Sequence, residues 1–201
     1  MSDEKPMPWR VLRSSTTSFS VGCPRPLDEA NPPLPEFGAL VRVVRPNGDI
    51  IYGLIHDVRI EDDAFVRQLV AAAVSEPEMI EDQRQKRQVP VEVSVLAVGH
   101  GRSLEMYHRL PPHPPGALDE VLVCNGAEVV RFTERHDWLR LVLTAPDAPV
   151  EQLIGAALRH AAQARPPDQS DLYLVSAGRE LARLLADDLL RLDGILRQLR
   201  S

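Results

Sequence analysis

The sequence has few aromatic residues and few cysteines. Phe, Trp and Tyr together make up 4% of its 201 residues, so a hydrophobic core must be built mainly from Val, Leu, Ile and Ala. The two cysteines, Cys23 and Cys124, are too few and too far apart for a disulfide framework or a CxxC metal site. We therefore expect two free thiols in a reducing compartment.

Familiar catalytic motifs are also missing. No GxxxxGK[ST], HExxH or GxSxG pattern occurs in the 201 residues. The pair His136-Asp137 and the acidic triplet from Glu61 to Asp63 are more typical of surface pairs and helix caps than of catalytic sites. An enzyme assembled from dispersed carboxylates has no support in their spacing. We predict a non-enzymatic protein with no cofactor and no bound metal.

Charge and hydropathy argue against two kinds of partner. The formal net charge is −6 and the pI is about 5.5, whereas proteins that grip bare DNA are usually basic. The one basic cluster, Arg84, Lys86 and Arg87, is either a phosphate contact or part of a solvated linker. No apolar run approaches the length of a membrane span, and the first residues lack an apolar signal core. We expect a cytoplasmic protein that contacts DNA weakly or indirectly.

The first part of the chain has the pattern of β-strands. Short strands are expected at Trp9 to Leu12 and Thr17 to Val21, followed by a proline-rich loop from Cys23 to Gly38. The stretch GALVRVVRPNGDIIYGLIHDV predicts a hairpin that turns at Asn47-Gly48, with a bulge or bend at Gly53. In VPVEVSVLAV, Val alternates with Glu and Ser, which is typical of a half-buried strand.

The last part has the pattern of α-helices. Apolar residues repeat at helical spacing from Val150 to Ala161, and a long helix is predicted from Ser170 or Asp171 to near Arg200. A shorter helix is predicted from Asp62 or Asp63 to Val74, whereas the segment from Ala127 to Phe132 fits either a strand or a helix start. The pattern divides the chain into a β-rich domain at 1–145 and a helical module at 146–201.

The final helix carries a leucine series at four-three spacing: Leu185, Leu189, Leu192, Leu196 and Leu199. Such a series either packs on the chain's own helices or mediates self-association or docking on a partner. The sequence leaves both alternatives open.

The order of these features resembles a known family. Gly38-Ala39-Leu40-Val41, Tyr52-Gly53-Leu54-Ile55, the strand from Val91 to Gly99 and the Pro111 to Gly116 segment follow the pattern of the HAS-barrel, the small β-barrel of HerA-type hexameric DNA translocases. The resemblance covers residues 9 to 132 and implies an α+β fold, in which a small closed or partly closed antiparallel β-barrel at 1–145 is followed by the helical module. In those translocases the barrel leads into an ATPase domain with a Walker motif, whereas here helices follow, so ATP hydrolysis and translocation are not carried over.

The resemblance implies a role in assembly. In HerA-type machines the barrel forms part of the end face of the ring and docks a NurA-type nuclease. We therefore predict an assembly or adaptor protein of a HerA/NurA-like DNA-processing or repair system, with homo-oligomerisation as an option. The predicted partner contacts are Tyr52, His56, Pro111, Pro112, His113 and the five leucines. The alternative is a small barrel that binds single-stranded nucleic acid directly.

Overall fold

The computed structural model describes residues 9–26, 35–60, 88–102 and 105–199. In these ranges the strands are β1 (Trp9–Ser14), β2 (Ser18–Pro26), β3 (Leu40–Val44), β4 (Asp49–Ile60), β5 (Gln88–Arg102), β6 (Glu105–Tyr107) and β7 (Glu120–Val123). The helices are α1 (Gly126–Phe132), α2 (Leu139–Leu143), α3 (Val150–Gln163), α4 (Pro167–Leu184) and α5 (Leu189–Gln198). The helix predicted to end at Val74 lies outside the described residues.

Six of the described strands close into an antiparallel barrel. Around the ring the order is β2, β1, β7, β3, β4 and β5, and β5 pairs again with β2. The short strand β6 lies outside the ring and pairs with the last residues of β5, from His100 to Arg102. The predicted α+β architecture, a small antiparallel barrel followed by helices, is confirmed. None of the described helices combines the length and apolar character that a bilayer span requires.

Side chains fill the interior of the barrel. On β5 the inward-facing Val91, Val93 and Val95 are at most 1% exposed and alternate with the half-buried Glu92 and Ser94. The interior cluster comprises Val11, Phe19, Val21, Cys23, Ala39, Val41, Val43, Ile51, Ile55, Val91, Val93, Val95 and Val121. Aliphatic residues dominate it, as the low aromatic content predicts.

The predicted β3–β4 hairpin is present and turns where the sequence indicates. Gly48 has a φ of +84°, which favours glycine, and its N–H donates to the Arg45 carbonyl at 2.9 Å. The Asn47 side chain accepts from the Asp49 N–H at 3.0 Å. The pairing of β4 with β5 shifts register between Tyr52 and Gly53, so the predicted irregularity at Gly53 is confirmed.

Strand β2 continues further than the sequence predicts. The sequence predicts a proline-rich loop that begins at Cys23, whereas in the structure Pro24 and Pro26 pair with Pro90 and Gln88 of β5. Within the described residues, β1 accompanies β2 only as far as Gly22, so this end of β2 has a neighbour on one side. Proline has no N–H to donate and is tolerated at such a position.

The helices cover the outer wall of β3, β4 and β5. Outward-facing Leu40, Tyr52, Leu54, Leu96 and Val98 form a second core with residues from all five described helices. The largest buried side chains of that core include Phe132, Trp138, Leu139, Leu153, Ile154, Leu158, Leu181 and Ile195. Full burial of one such side chain contributes about 1.5–3 kcal/mol, so barrel and helices stabilise each other.

The helices begin soon after the last barrel strand. Asn125 caps α1 by accepting from the Glu128 N–H at 3.0 Å, and the Glu128 carboxylate accepts from the Asn125 N–H at 2.9 Å. This reciprocal cap resolves the ambiguous segment from Ala127 to Phe132 as helix. Helical structure therefore starts before residue 146, where the sequence pattern places the boundary.

The single long C-terminal helix predicted from Ser170 or Asp171 is wrong. The structure has two helices, because α4 ends at Leu184 and α5 begins at Leu189. The Asp188 side chain accepts from the Arg191 N–H at 3.1 Å and so caps α5. The leucine spacing continues across the break, which is why periodicity alone did not reveal it.

Candidate partner-binding face

The structure places the predicted partner contacts in four different settings. Tyr52 is buried: its side chain is 6% exposed and its ring centroid lies 5.0 Å from that of Phe132 in α1. Burial also raises the pKa of Tyr52. Tyr52 is therefore a core residue between barrel and helices, and its assignment as a surface contact is corrected.

His56 lines a pocket at the side of the barrel. It is the extra residue of a bulge in β4, because Ile55 pairs with Val95 whereas Asp57 pairs with Ser94. The pocket, of about 440 Å³, is also lined by Ser18, Ser20, Ser94 and Asp147. Burial lowers the pKa of His56, and the nearby Asp57 and Asp147 carboxylates act in the opposite direction.

The proline-rich loop borders a separate, small cleft. Pro111 is buried, whereas Pro112 and His113 are exposed, and all three line a cleft of about 180 Å³. The loop is held in place where the Ser14 hydroxyl donates to the Pro115 carbonyl at 2.7 Å. His56 lines the other pocket, so the structure does not bring it together with the proline residues.

The most prominent exposed ring beside this cleft is Tyr107, which the sequence pattern did not single out. Tyr107 ends β6 and its side chain is 39% exposed. The guanidinium carbon of Arg109 lies 4.5 Å from the Tyr107 ring centroid, and the His100 ring lies 5.5 Å away. We call these three residues, Tyr107, Arg109 and His100, the Tyr107 platform.

Hydrogen bonds fix the geometry of the Tyr107 platform. The Tyr107 hydroxyl donates to the Glu105 carboxylate at 2.9 Å, and this bond raises the pKa of Tyr107. The Arg109 Nε–H donates to His100 Nε2 at 3.3 Å, which requires that nitrogen to be unprotonated. Burial and then the charge of Arg109 lower the pKa of His100. A tyrosine, an arginine and a neutral imidazole are thus held in one arrangement beside the proline loop.

The leucine series packs mainly on the chain's own helices. Leu185 is buried, and Leu192 and Leu199 pack against the core between barrel and helices. Leu196 is half-buried, whereas Leu189 is 69% exposed. Four of the five leucines therefore serve internal packing in this structure. Arg84, Lys86 and Arg87 lie outside the described residues.

No protein-family model matches the sequence, and no curated protein is significantly similar to it. The fold defines the class of protein: a closed six-stranded β-barrel with a helical cover. The Tyr107 platform is inferred as a candidate binding surface from the geometry of its own residues.

Proposed function

We propose that this protein is a non-catalytic, cytoplasmic assembly or adaptor protein that docks on a HerA/NurA-like DNA-processing system through the Tyr107 platform. The observation that carries the proposal is a preorganised tyrosine–arginine pair on the outside of a barrel. Together with tryptophan, tyrosine and arginine are the residue types enriched among energetically dominant interface residues. A ring already held by Arg109 and Glu105 loses little conformational entropy on binding.

The filled interior supports a role for the outer surface. Val41, Val93, Val95 and their neighbours fill the inside of the barrel. A partner can therefore be recognised only on the outer surface of the part of the chain that the structure describes. The segments that resemble the HAS-barrel form β3, β4, β5 and the loop before β7. In the structure these segments are parts of one barrel, which is compatible with the family-based expectation.

Copurification tests the proposal. The tagged protein would be coexpressed with a HerA-type translocase and a NurA-type nuclease, and each would be quantified in the eluate. We expect capture of at least one of them and a loss of affinity of about 30-fold or more in the Tyr107→Ala/Arg109→Ala variant, since removal of an interface hot spot costs about 2 kcal/mol or more.

A matched control makes a comparable change on helix α4, away from the Tyr107 platform. The Leu172→Ala/Arg179→Ala variant removes an exposed apolar side chain and an exposed arginine from α4. It is expected to retain capture. Failure to recover either protein, or equal losses in both variants, would contradict the proposal.

One observation favours a second function, direct binding of single-stranded nucleic acid. An exposed aromatic ring beside arginine side chains is the arrangement on which bases stack. Fluorescence anisotropy with labelled oligothymidylate at increasing salt would measure it. Binding that weakens with salt and with Tyr107→Ala would support this function over protein docking.

A further inference from the structure

An arginine-lined cleft lies next to the Tyr107 platform, between β6 and the first two helices. Its volume is about 600 Å³, and Tyr107 and Arg109 form part of its wall. Three further arginines line it: Arg131 from α1, Arg135 from the α1–α2 connection and Arg140 from α2. We call this cleft the arginine cleft.

The charge of the arginine cleft is opposite to that of the whole chain. Four arginines and two acidic residues, Glu134 and Asp137, line it, which is a formal excess of two positive charges. The chain as a whole carries a formal net charge of −6. Arg135 lies 2.8 Å from the Asp137 carboxylate and is 77% exposed. This pair is on the surface, where water screens it and a ligand carboxylate can compete for the guanidinium.

His108 lies at the base of the cleft and adds no charge to it. Its Nε2 lies 2.9 Å from the Phe132 carbonyl oxygen, which can only accept, so Nε2 carries the hydrogen. Its Nδ1 lies 4.0 Å from the Asp137 carboxylate, and burial lowers its pKa. The His108 side chain is 8% exposed and packs edge-on against Phe132 at 4.7 Å. The arginines therefore surround an imidazole that is neutral and held in place by the Phe132 carbonyl and ring.

Apolar side chains also line the cleft and narrow the choice of ligand. Met106, Leu110 and Leu141 lie among the arginines, and Leu110 is 39% exposed. A ligand that uses the whole cleft therefore needs both carboxylates and apolar side chains. An acidic peptide with interspersed leucines has both.

Single-stranded nucleic acid fits the cleft less well. Its phosphates carry negative charge along its whole length, whereas an acidic peptide with interspersed leucines can place an uncharged side chain beside Glu134 and Asp137. One face of the Tyr107 ring is covered by the Arg109 guanidinium, which leaves less of the ring for base stacking.

We propose that the arginine cleft binds an acidic, leucine-containing segment of the protein partner, so that the partner contacts the cleft and the Tyr107 platform together. The inference rests on the proposed adaptor function. It assigns the charge and the residue types of the partner segment, which the resemblance to the HAS-barrel does not supply.

Anisotropy with defined probes tests the inference on the full chain. The probe is a fluorescein-labelled peptide of repeated Glu-Asp-Leu triplets, compared with a Gln-Asn-Leu peptide of equal length and with oligothymidylate of equal charge. We expect saturable, salt-sensitive binding of the acidic peptide alone. The Arg135→Ala/Arg140→Ala variant should bind about tenfold more weakly, which corresponds to about 1.4 kcal/mol, since two exposed ion pairs with the peptide are lost.

The control variant is Arg179→Ala/Arg197→Ala, which makes the same charge change on the exposed surfaces of α4 and α5. Thermal unfolding of both variants establishes that they are folded. Equal weakening by the control, equal binding of the Gln-Asn-Leu peptide, tighter binding of oligothymidylate or no saturable binding would each overturn the inference.

The peptide assay contains no translocase or nuclease, so it separates the two proposals. Peptide binding without copurification would keep the acidic ligand class and remove the HerA/NurA-like partner. Copurification that the Arg135→Ala/Arg140→Ala variant leaves intact would overturn the role of the cleft and keep the adaptor function.

Discussion

The aromatic rings of Tyr52 and Phe132 meet at 5.0 Å where strand β4 packs against helix α1. Phe132 is 1% exposed, and it also contacts the His108 ring at 4.7 Å. One side chain thus joins the barrel wall, the first helix and the base of the arginine cleft. The stability of the fold and the shape of the cleft depend on the same residue.

Truncation of Phe132 should destabilise the whole protein. Phe132→Ala removes a buried ring from the core between barrel and helices, which typically costs about 3–5 kcal/mol. The urea midpoint of unfolding measures the effect. Leu172→Ala is the control, because its side chain is 70% exposed and its loss should change the free energy of unfolding by less than about 0.5 kcal/mol. Similar shifts in the two variants would contradict the packing described.

Two glycine-to-alanine substitutions should have opposite effects on stability. A Cβ on Gly53 would lie 2.3 Å from Val95 Cγ1 and 3.0 Å from the Leu96 carbonyl oxygen, so Gly53→Ala should cost about 1–3 kcal/mol. At Gly178 in α4 the nearest atom would be 3.9 Å away. Gly178→Ala should therefore raise the free energy of unfolding by about 0.5–1 kcal/mol. Differential scanning calorimetry would show a lower and a higher Tm, respectively, and the reverse order would be incompatible with the barrel register.

The guanidinium group of Arg165 should stabilise the folded protein. Its guanidinium donates to the Val130 carbonyl at 3.2 Å and to the Thr133 hydroxyl at 2.9 Å, and its carbon lies 3.7 Å from the Tyr173 ring centroid. Arg165→Met keeps the apolar stem but leaves these acceptors without the donor, at a cost of about 1–3 kcal/mol. Arg179→Met on the exposed surface of α4 is the matched control. Chemical denaturation that fails to distinguish the two would refute this role.

Stability should fall as the pH drops below the usual histidine range. Burial lowers the pKa values of His56, His100, His108 and His136 below 6.5 in the folded state. Between the folded and unfolded pKa values the unfolded chain binds more protons, so the stabilisation is fully present above 6.5 and is lost as the pH falls through the folded values. Urea midpoints measured from about pH 8 to pH 5 should decrease.

Substitution of single histidines assigns the pH effect. His108→Gln should flatten the pH dependence, since it removes one of the four half-buried imidazoles whose pKa is lowered. His113→Gln is the comparison, because the His113 side chain is exposed. A pH dependence that His108→Gln leaves unchanged would assign the loss of stability to other groups.

The regular parts of the fold could be predicted because local patterns determine them. The Asn47-Gly48 turn, the alternation of Val91, Val93 and Val95, and the irregularity at Gly53 depend on neighbours in the chain or on one adjacent strand. The burial of Tyr52 could not be predicted, because it depends on which distant segment covers the outer face of the barrel. Alternation identifies two faces of a strand but does not say that helices cover the second one.

The Tyr107 platform and the arginine cleft could not be predicted from the sequence for a related reason. Tyr107 is an isolated aromatic residue in a short polar stretch, and its spacing to Arg109 has no meaning until His100 is placed beside it by β5–β6 pairing. The arginine cleft joins residues that are separated in sequence, from β6, α1 and α2. A tyrosine followed two residues later by an arginine was the one local signal, and it is too common to identify a site.

Ring closure has a consequence for strand addition by other chains. Each of the six barrel strands has a neighbour on both sides over part of its length, and the overhanging end of β2 carries Pro24 and Pro26, which cannot donate hydrogen bonds. Among the described strands, β6 is the one that pairs on a single side. β6 spans only Glu105–Tyr107, which is too short to propagate aggregation, and a partner strand added there would lie alongside Tyr107.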